Sequence, residues 1–504
     1  MGQMQDTVSR RGFLGAALLG TAGVAAASML GGCAPSQGSS SKETSWSEEY
    51  DVVVIGAGAG GYAAAIEAAD NGASVLVLEK AEKTGGDSAL CDGILGGWGT
   101  RLQKAAGVEV TADEVFEWFT GNPEWYGAFD MEVARLNADK CGETVDWLED
   151  LGVEFEPEVG PRFGYTELPA IHQVVGKGAA MMDVLAKVAA SAGVKTYTGT
   201  PAVRLVADES GRIIGVVASK GSDELAVKAN KGVVVATGGF AGSSEALTAF
   251  NGESAGLMAR ADPNLTGDGI LMAMEHGAHI CKADRLPLVS SLAGLETKSP
   301  VNLNYAFRLH EIWLDADGKR FFDESTPFES PLGHNAILRK QNAQGGAQPV
   351  AFVGTTPELE ALAQKMPMQW QSADTVEEAA TLAGLDPAAV KATVDAYNAA
   401  CAAGRDDECG RPAEFLIPLK APFYVAPITS MTTVSLGGIK IDVESRVLRM
   451  KSPADKGAMQ QPIPGLYAAG ETCEWNCAAG WTVLTAMTAG RIAGRNAASE
   501  QTAE

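Results

Sequence analysis

Residues 470–491, with the sequence GETCEWNCAAGWTVLTAMTAGR, combine glycines and small side chains with two acids, and no base occurs before the final arginine. They follow PIPGLYAA, a pattern that is typical of a buried strand after a proline–glycine turn. Glycines in such a place let the backbone come close to another group. The pattern therefore predicts a ligand held at this stretch with little help from charged side chains.

A nucleotide-binding pattern lies at residues 50–80, YDVVVIGAGAGGYAAAIEAADNGASVLVLEK. The apolar run VVVI predicts a buried parallel strand, and Gly56, Gly58 and Gly61 form a GxGxxG turn into an alanine-rich helix. Such glycines allow a tight turn, close approach to a pyrophosphate and packing of the helix on the sheet. A second apolar strand ends at Glu79, where a carboxylate would accept hydrogen bonds from an adenosine ribose. This order predicts a dinucleotide site, for either NAD or FAD.

Three further glycine-rich segments are KTGGDSA at 83–89, KGVVVATGGFAG at 231–242 and NLTGDGILMAMEHGA at 264–278. The first offers small donors and bare backbone that suit a pyrophosphate and a flavin, and the second predicts another buried strand with a glycine turn. Asp268 lies between glycines at the start of a predicted helix, where it could contact a cofactor or serve as an ordinary N-cap.

Seven segments in this order resemble the fumarate reductase and succinate dehydrogenase flavoprotein family: VVVIGAGAGG, GGDSA, VVVATGGFAG, TGDGILMAMEHGA, DGKRFFDES, DPAAVKATVDAYNAAC and PIPGLYAAGE. The family includes soluble fumarate and urocanate reductases and 3-ketosteroid dehydrogenases, which use FAD to add or remove hydrogen across a carbon–carbon bond. The resemblance implies an α/β fold, with a Rossmann-like FAD-binding domain of the glutathione reductase type at 49–280 and 422–504. An α+β domain that caps the substrate would be inserted at 281–421.

The same resemblance implies non-covalent FAD and assigns residues to its parts. No histidine occurs between Gly85 and Thr100, where membrane-bound members attach the flavin covalently. The implied contacts are Gly56, Gly58, Gly61 and Glu79 at the adenosine diphosphate, Asp87, Ser88 and Gly93 near the pyrophosphate and flavin, Val203 at the adenine through its backbone, and Asp268, Glu471, Thr482 and Val483 at the isoalloxazine and ribityl groups.

The substrate side departs from the fumarate reductases, which clamp two carboxylates with arginines and histidines. The family segment HHTMGG corresponds to TTVSLGG at 432–438, which has no histidine before the glycine pair. The segment NRLGGNA corresponds to NCAAGWT at 476–482, where Cys477 replaces the carboxylate-binding arginine. No counterpart of the proton-delivering arginine follows DGKRFFDES. These differences argue against a simple fumarate reductase.

The stretch from Gly480 to Thr488, GWTVLTAMT, resembles instead the TIGPAMTFG segment of the 3-ketosteroid dehydrogenase branch. That branch polarises a ketone with a tyrosine hydroxyl and a glycine backbone N–H. The resemblance places Gly480 at the backbone donor and Asn476 at the tyrosine position, where its amide could donate to a carbonyl. Phe328 lies near the position of another catalytic tyrosine and has no proton to donate. The expected substrate is an enone, an enoate or an aromatic-conjugated alkene.

The proton donor must then come from elsewhere in the chain. The first hypotheses are Tyr305 as the proton donor and Arg308 as a substrate anchor, both in NLNYAFRLHEIW. For each of them alone, a purely structural role is the alternative. The remaining polar candidates, which could equally be structural, are Tyr165, His172, His310 and the pair Arg320 and Glu324.

The amino terminus has the pattern of an export signal. SRRGFL at 9–14 precedes an apolar, alanine-rich run that ends at Cys33, which predicts a twin-arginine signal over 1–32 rather than a spanning helix. Cys33 would be the lipidated first residue of the mature protein, and residues 33–48 a flexible tether. A soluble exported form is one alternative, and a basic surface turn with a buried helix is another. We expect the protein at the extracytoplasmic face of the cell membrane.

Composition limits the partners and cofactors. The chain has 504 residues and a net charge of −24, and it lacks the clustered Lys and Arg that hold nucleic acid. The cysteines after Cys33 show no CxxC pair, no haem motif and no spacing typical of metal ligands. Cys401 with Cys409, and Cys473 with Cys477, could form disulfides, but scattered thiols are the preferred interpretation. Electrons would therefore come from a separate protein, a cytochrome or another flavoprotein.

The leading hypothesis is an exported, lipid-anchored FAD-dependent reductase of an activated C=C bond that serves anaerobic respiration. Within the same fold, the alternative is a dehydrogenase that desaturates a ketone, as the 3-ketosteroid enzymes do. A catalytically inactive binding lipoprotein would explain the missing Arg, His and Tyr, but it would not need every flavin-contacting motif. An NAD-only dehydrogenase is disfavoured because PIPGLYAAGE resembles the flavin-binding family.

Overall fold

The computed structural model describes residues 44–121, 129–162, 166–250, 258–259, 261–283, 288–292, 310–326, 331–354, 371–432, 434–452, 459–478 and 480–501. The strands are β1 (Glu48–Ile55), β2 (Val75–Leu78), β3 (Ile94–Gly96), β4 (Gly160–Arg162), β5 (Thr166–Gln173), β6 (Lys195–Tyr197), β7 (Ala202–Ala207), β8 (Ile213–Lys220), β9 (Asp223–Val235), β10 (Met258–Ala259), β11 (Ile280–Cys281), β12 (Leu288–Leu292), β13 (Glu311–Leu314), β14 (Val350–Gly354), β15 (Gln371–Ala373), β16 (Phe423–Thr432), β17 (Gly438–Ile439), β18 (Arg446–Leu448) and β19 (Pro462–Ala468).

The α-helices of the described residues are α1 (Ala59–Asp70), α2 (Gly86–Leu90), α3 (Arg101–Ala106), α4 (Ala112–Thr120), α5 (Met131–Asp150), α6 (Lys177–Ser191), α7 (Ser244–Phe250), α8 (Asp268–Glu275), α9 (Pro331–Ala343), α10 (Val376–Leu382), α11 (Pro387–Ala403) and α12 (Thr482–Ser499). Short 3₁₀ turns cover Ala413–Phe415 and Gly470–Thr472. From Ser45 onward, the described residues form one compact unit. No helix among them is long and apolar enough to cross a membrane.

A mostly parallel sheet carries the nucleotide-binding pattern. Its strand order is β18-β19-β9-β1-β2-β6, and β8, which also pairs with β7, continues it from β9. β1 runs parallel to both β2 and β9. Val52 and Val54 pack into an apolar cluster with α1, whereas Val53 and Ile55 join a second cluster that includes α8. Both faces of β1 are thus buried, which explains its continuous apolar run and confirms the predicted parallel strand.

Close backbone contact between α1 and α12 brings together the first and the last helix of the described residues. A Cβ atom at Gly490 would lie 2.2 Å from the Gly60 carbonyl oxygen, and one at Gly494 would lie 2.0 Å from the Ala64 carbonyl oxygen. Only glycine permits this approach at either position. The packing places the start of α12, which follows the stretch 470–481, beside the glycine turn after β1.

A second sheet is built by the middle of the chain. Its order is β10-β16-β14-β13, and β12 and β15 also pair with β16. With α9, α10 and α11 it provides the mixed α and β elements of the capping domain, so the α/β fold with a Rossmann-like sheet and a cap is confirmed. The predicted domain boundaries at 280/281 and 421/422 stay predictions. β10, which precedes the first boundary, and β16, which follows the second, also belong to this sheet.

The sequence of residues 376–403 predicts two helices broken at Gly384, with Asp386 and Pro387 starting the second, and both helices are present. Asp386 is the N-cap of α11, with its carboxylate accepting the Ala388 N–H at 3.1 Å, and Pro387 is the first helical residue. Gly384, between the two helices, has a φ of +70°. The sequence thus located both the break and the restart of the helical segment.

A buried ion network stabilises this part of the molecule. Arg320 Nη2 lies 2.8 Å from Glu324 Oε2, and Arg320 Nη1 lies 3.0 Å from Asp406. Arg411 Nη2 reaches the same oxygen of Glu324 at 2.8 Å. All four side chains are almost fully buried and none of them lines the cavity described below. Arg320 and Glu324 therefore form a structural ion pair, which was one of the two interpretations of these residues from the sequence.

The described cysteines are all free thiols, which agrees with the preferred interpretation of the sequence. Neither Cys401 with Cys409 nor Cys473 with Cys477 forms a disulfide. Cys477 is buried, and its thiol lies 3.3 Å from the Thr485 hydroxyl. Burial raises the pKa of the Cys477 thiol to about 12, so this group is neutral at physiological pH.

Candidate active site

A cavity of about 940 Å³ runs from the glycine turn after β1 to the stretch that precedes α12. This volume lies near the upper end of the roughly 300–1,000 Å³ that ligand sites occupy. We call the region lined by 56–60, 79–80, 86–88 and Asp268 the cofactor end, and the region lined by 474–477 and Gly480 the substrate end. Of the predicted site residues, the lining includes Gly56, Gly58, Glu79, Asp87, Ser88, Asp268, Glu471, Asn476, Gly480, Thr482 and Val483.

The three glycines of the turn have different physical roles. Gly56 has a φ of +103°, and a Cβ there would lie 2.2 Å from the Ala236 carbonyl oxygen. A Cβ at Gly61 would lie 2.0 Å from the Gly56 carbonyl oxygen, so Gly61 allows the helix to pack on the turn. At Gly58 the nearest atom would be Ser88 Oγ, at 3.7 Å. Protein packing therefore does not require glycine at 58, whose bare backbone faces the cavity and leaves room for a pyrophosphate.

Glu79 and Ser88 hold the backbone of the turn. Glu79 Oε2 accepts the Ala57 N–H at 2.9 Å, and its Oε1 accepts the Ala81 N–H at 2.8 Å. Ser88 Oγ accepts the Ala59 N–H at 3.2 Å. Each carboxylate oxygen of Glu79 keeps a further lone pair that can accept a ribose hydroxyl. The acid that ends the second strand is thus placed at the turn, as the motif predicts.

Asp268 is not an N-cap, which was one of its two interpretations. Gly267 is the N-cap of α8, and Asp268 is the first helical residue. The Asp268 carboxylate instead pairs with Lys80 Nζ at 2.7 Å and accepts the Thr266 hydroxyl at 2.7 Å. This ion pair connects the end of β2 to α8 across the cofactor end of the cavity.

Two carboxyl groups in the middle of the cavity have raised pKa values. Burial raises the pKa of Asp87 to about 6, although its Oδ1 accepts the Asp262 N–H at 2.7 Å. Burial, and next the charge of Asp87, raise the pKa of Glu471 to about 8. Glu471 Oε1 accepts the Ser435 N–H at 2.7 Å and the Ser435 hydroxyl at 3.1 Å. At neutral pH Glu471 therefore carries a proton, which it can donate into the cavity.

The start of α12 offers backbone donors to the same cavity. Trp481, the N-cap residue, makes no side-chain cap, and Thr482 and Val483 line the cavity with the first turn of this 18-residue helix. Free N–H groups at a helix N-terminus attract negative charge. The helix start therefore suits an electron-rich ring edge.

Asn476 is buried at the substrate end in a fixed orientation. Its Oδ1 accepts the Asp130 N–H at 2.8 Å, and its backbone oxygen accepts the Asn137 amide at 3.2 Å. Among the described residues, the partner of the Asn476 side-chain NH₂ is the Glu474 backbone oxygen, at the long distance of 3.4 Å. This NH₂ group is therefore the end of the amide that is available to a ligand in the cavity.

Gly480 places its backbone next to the cavity. Its φ is +85°, a left-handed conformation that favours glycine, and its carbonyl oxygen accepts the Gly96 N–H at 2.9 Å. The Trp481 ring packs so tightly on Gly96 that a Cβ there would lie 2.3 Å from a ring atom. The neighbouring strand β3 thus fixes the loop that carries Gly480.

Charged residues that the sequence analysis did not single out surround the substrate end. Glu474 lies 3.7 Å from Lys282 Nζ and 3.8 Å from Lys440 Nζ. Lys440 also pairs with Asp130, at 2.9 Å. Asp130 is the N-cap of α5 and accepts the Glu132 N–H at 3.2 Å. The only sequence signal for this group was the second acid of GETCEWN, because its partners come from distant segments.

Other predicted site residues lie away from the cavity lining. Gly61 supports the turn from behind, and Gly93, with a φ of +70°, packs against Lys177. Val203 is 55% exposed and sits at an irregularity between β7 and β8, next to Ala202, which does line the cavity. The predicted contacts of Gly93 and Val203 with the cofactor stay predictions.

Two of the proton-donor candidates, His172 and His310, are among the described residues, and neither lines the cavity. Burial lowers the pKa of His172 to about 4, and its ring hydrogen-bonds to Thr100 at 2.8 Å, so His172 is a neutral structural residue. His310 lies just before β13 and is not among the residues that line the cavity. The candidates that fall outside the described residues are Cys33, Tyr165, Tyr305, Arg308 and Phe328.

These features fit FAD from one end to the other. The bare glycine turn would hold the pyrophosphate, Glu79 would accept the ribose hydroxyls, and the first turn of α12 with Glu471 would hold the flavin ring. No group of three or more His, Cys, Asp or Glu side chains that could hold a metal ion occurs in the part of the chain that is described.

Comparison with known proteins agrees with this assignment. The profile of the FAD binding domain family matches residues 51–481. The chain is 29% identical to digoxin reductase from Eggerthella lenta, over 98% of this chain and 97% of the relative. It is 30% identical to vinyl phenol reductase from Lactiplantibacillus plantarum, over 90% of this chain and 97% of the relative. The 3-ketosteroid-Δ4-(5α)-dehydrogenase from Rhodococcus jostii RHA1 has a similar structure, with a TM-score of 0.71, 29% identity and coverage of 91% of this chain and 99% of that chain.

The profile match covers most of the chain, and it follows the same motifs on which the predicted resemblance depends. FAD is the cofactor. The chain belongs to the FAD binding domain family, within the fumarate reductase and succinate dehydrogenase flavoproteins, and it is an FAD-dependent oxidoreductase.

Proposed function

We propose that this flavoprotein reduces the C=C bond of an enone, an enoate or an aromatic-conjugated alkene, with electrons from a separate donor protein. The observation that carries the proposal is the chemistry of the substrate end. Asn476 and Gly480 would offer neutral donors there, and the bases among the described lining residues are Lys80 and Lys177, which belong to other parts of the cavity. The nearby Lys282 and Lys440 are not lining residues, and they are held by the Trp475 carbonyl oxygen and by Asp130. A dicarboxylate would need cationic partners.

The named relatives support the broad reaction class. FAD-dependent reduction of C=C bonds is common to the reductases among them. Two of the relatives are named for digoxin and for vinyl phenol, and neither name describes a small dicarboxylate. The neutral donors at the substrate end agree with substrates of this kind better than with fumarate.

Within this proposal, the chain's own residues would polarise the substrate. Bound FAD supplies a hydride when it is reduced. The Asn476 NH₂ group would donate to the oxygen of the electron-withdrawing group, because its other end is held by the Asp130 N–H at 2.8 Å. Gly480 would add a backbone donor at the same oxygen. Preorganised donors of this type stabilise the negative charge that develops on a carbonyl oxygen during addition.

A second candidate function is the desaturation of a ketone. It is favoured by the structural similarity to 3-ketosteroid-Δ4-(5α)-dehydrogenase, at a TM-score of 0.71. The same donors would polarise the ketone in either direction. Two rates separate the two directions. One is measured with reduced viologen and an alkene, and the other with an artificial acceptor and a saturated ketone.

The cellular setting is part of the proposal. The SRRGFL pattern and Cys33 support twin-arginine export followed by lipid attachment at the extracytoplasmic face. The lack of haem and iron–sulfur motifs in the sequence supports a separate electron donor, a cytochrome or a flavoprotein. The FAD would be held without a covalent bond.

An anaerobic stopped-flow assay tests the substrate class. The flavin is reduced with dithionite, and its reoxidation is followed with fumarate, urocanate, cinnamates and steroid enones. We expect fast reoxidation by a bulky enone or an arylacrylate and slow reoxidation by fumarate. Fast reoxidation by fumarate alone would contradict the proposal, because the lining then must contain a carboxylate clamp.

A further inference from the structure

Glu474 is a buried acid whose hydrogen-bonding capacity is only partly satisfied by the described residues. Its side chain is 4% exposed and lines the cavity at the substrate end. Oε1 of Glu474 has no hydrogen-bond partner among the described residues. A buried carboxyl oxygen without a partner is destabilising, so such a group in a native protein points to a function or a ligand.

The neighbouring lysines do not satisfy this oxygen. Lys282 lies 3.7 Å from Oε2 and Lys440 lies 3.8 Å from Oε1, which is beyond hydrogen-bond distance. Lys282 Nζ donates instead to the Trp475 carbonyl oxygen, and Lys440 Nζ lies 2.9 Å from Asp130. Both positive charges are thus held near Glu474 by other acceptors.

This arrangement suits a group that changes its charge during a reaction. Burial raises the pKa of Glu474, and the charges of Lys282 and Lys440 oppose this shift. Burial also lowers the pKa of Lys282. Burial thus favours the protonated acid, and nearby positive charge favours the carboxylate that remains after the proton has left. The titratable groups that face Glu474 are Lys282, Lys440, Asp130, His279, Cys281 and Cys473.

Glu474 and the proposed carbonyl donor belong to one rigid unit. Asn476 is two residues further along the chain, and its amide oxygen accepts the Asp130 N–H at 2.8 Å. The carboxylate of the same Asp130 pairs with Lys440, which faces Glu474. A substrate oxygen held at the Asn476 amide would therefore bring the adjacent carbon close to Glu474.

We propose that Glu474 is the internal acid of this site and protonates the substrate carbon next to the polarised group. This inference rests on the proposed function. In the step, the Glu474 O–H bond breaks and a C–H bond forms at the α-carbon, while the β-carbon receives a hydride from the reduced flavin. The substrate is reduced by two electrons and the flavin is oxidised by two. The Glu474 carboxylate that remains is reprotonated from solvent.

The test compares full-length holoenzyme variants Glu474→Gln and Glu474→Asp with the wild type. We expect Glu474→Gln to slow single-turnover reoxidation by the best alkene about 100-fold or more, the size typical of a lost general acid. Flavin reduction by dithionite and FAD content should not change. Glu474→Asp, which keeps an acid, should recover part of the rate. Glu444→Gln, at a side chain that is 50% exposed, is the matched control.

The pH profile distinguishes an acid from a structural residue. In the wild type the reoxidation rate should fall as pH rises through the raised pKa of Glu474, and this dependence should be absent in Glu474→Gln. Infrared difference spectra should show a protonated carboxyl band at neutral pH that titrates with the rate. This band should persist in Glu471→Gln, which removes the other protonated carboxyl group of the cavity.

The outcomes separate the two proposals. If no alkene reoxidises the wild type, the proposed function fails. If the alkene is reduced and Glu474→Gln reacts at the wild-type rate, only the role of Glu474 is overturned. If the Glu474→Gln protein does not bind FAD, the infrared measurement on Glu471→Gln decides, and the absence of a protonated carboxyl band there overturns the role of Glu474.

Discussion

At the cofactor end of the cavity, both oxygens of Glu79 accept backbone N–H groups, whereas at the substrate end Oε1 of Glu474 has no hydrogen-bond partner among the described residues. The two acids belong to the same cavity and both follow a strand of the parallel sheet. Glu79 holds the glycine turn in shape even before a ligand binds. Glu474 keeps one carboxyl oxygen available to a ligand.

The difference shows how this site divides its work. The cofactor end is a preformed cradle in which glycines and backbone donors are fixed by close packing, as at Gly56 and Gly61. The substrate end has its neutral donors anchored from behind, as Asn476 is by Asp130, while the ends that face the cavity stay available. Substitutions at the cofactor end should therefore affect folding and FAD retention, and those at the substrate end should affect turnover alone.

The largest effect is expected for Gly61→Ala at the cofactor end. The new methyl group would lie 2.0 Å from the Gly56 carbonyl oxygen, and the backbone must move to relieve this clash. We expect a loss of at least about 3 kcal/mol in the free energy of unfolding and a protein isolated without flavin. Denaturant unfolding and the flavin absorbance measure both. Gly160→Ala, where a Cβ meets no atom within 4 Å, is the control. Normal flavin content in Gly61→Ala would contradict the packing role.

Asn476→Ala should give the next largest effect, at the substrate end. It removes the NH₂ donor, and we expect single-turnover reoxidation by an enone to slow about 100-fold, as for the loss of one oxyanion donor. FAD content should stay at the wild-type level, and dithionite should reduce the flavin as before. Asn496→Ala, at a hydrogen bond on the protein surface, should leave the rate unchanged. If Asn476→Ala lost its flavin instead, the division between the two ends would be wrong.

A smaller effect concerns the pH dependence of the apoprotein. The folded pKa of Glu471, about 8, is above its ordinary value of 4.5. Between these two values the folded protein holds a proton that the unfolded chain has released, so stability decreases as pH rises through this window. We expect the melting temperature of the apoprotein to fall by roughly 2–4 °C more in the wild type than in Glu471→Gln between pH 5 and pH 8. Identical pH profiles would refute a protonated Glu471.

The smallest effect is expected for Lys80→Met. The ion pair of Lys80 with Asp268 is partly exposed, with 25% and 41% of the two side chains accessible. Such pairs contribute about 0–1 kcal/mol, so the change in unfolding free energy should not exceed about 1 kcal/mol. Unfolding at low and high salt measures it. A larger loss would mean that Lys80 has a structural role beyond this pair.

Sequence reasoning succeeded where a local pattern carries the physics. The β1 strand, the glycine turn, Glu79 and the cap of α11 by Asp386 all follow from short-range rules, and the structure has them where the sequence predicted. The interpretation of Asp268 as an N-cap was wrong, because a lysine at the end of β2 holds its carboxylate and the preceding glycine takes the cap position. A partner from a distant segment decided that case.

The proposed proton donor shows the same limit. The sequence analysis considered tyrosine, arginine and histidine side chains in two segments, and it did not consider the second acid of GETCEWN as a donor. No local rule marks Glu474 as buried or underpaired. Its environment is made by Lys282, Lys440 and Asp130, which come from three separate segments.

The sequence by itself determined a dinucleotide site, because pyrophosphate binding needs bare backbone at a strand-to-helix turn and only glycine at fixed spacing provides it. The choice of FAD followed from the resemblance to the family. It also determined the family, and it predicts that a carboxylate clamp of the fumarate reductase type is missing, because the clamp's arginine and histidine residues are absent from their segments. The tertiary structure alone decided which acid lines the cavity with an oxygen that has no hydrogen-bond partner among the described residues. It also decided which end of the Asn476 amide is available. Burial, charge and orientation are properties of contacts between distant segments, so they exist only once the chain has folded.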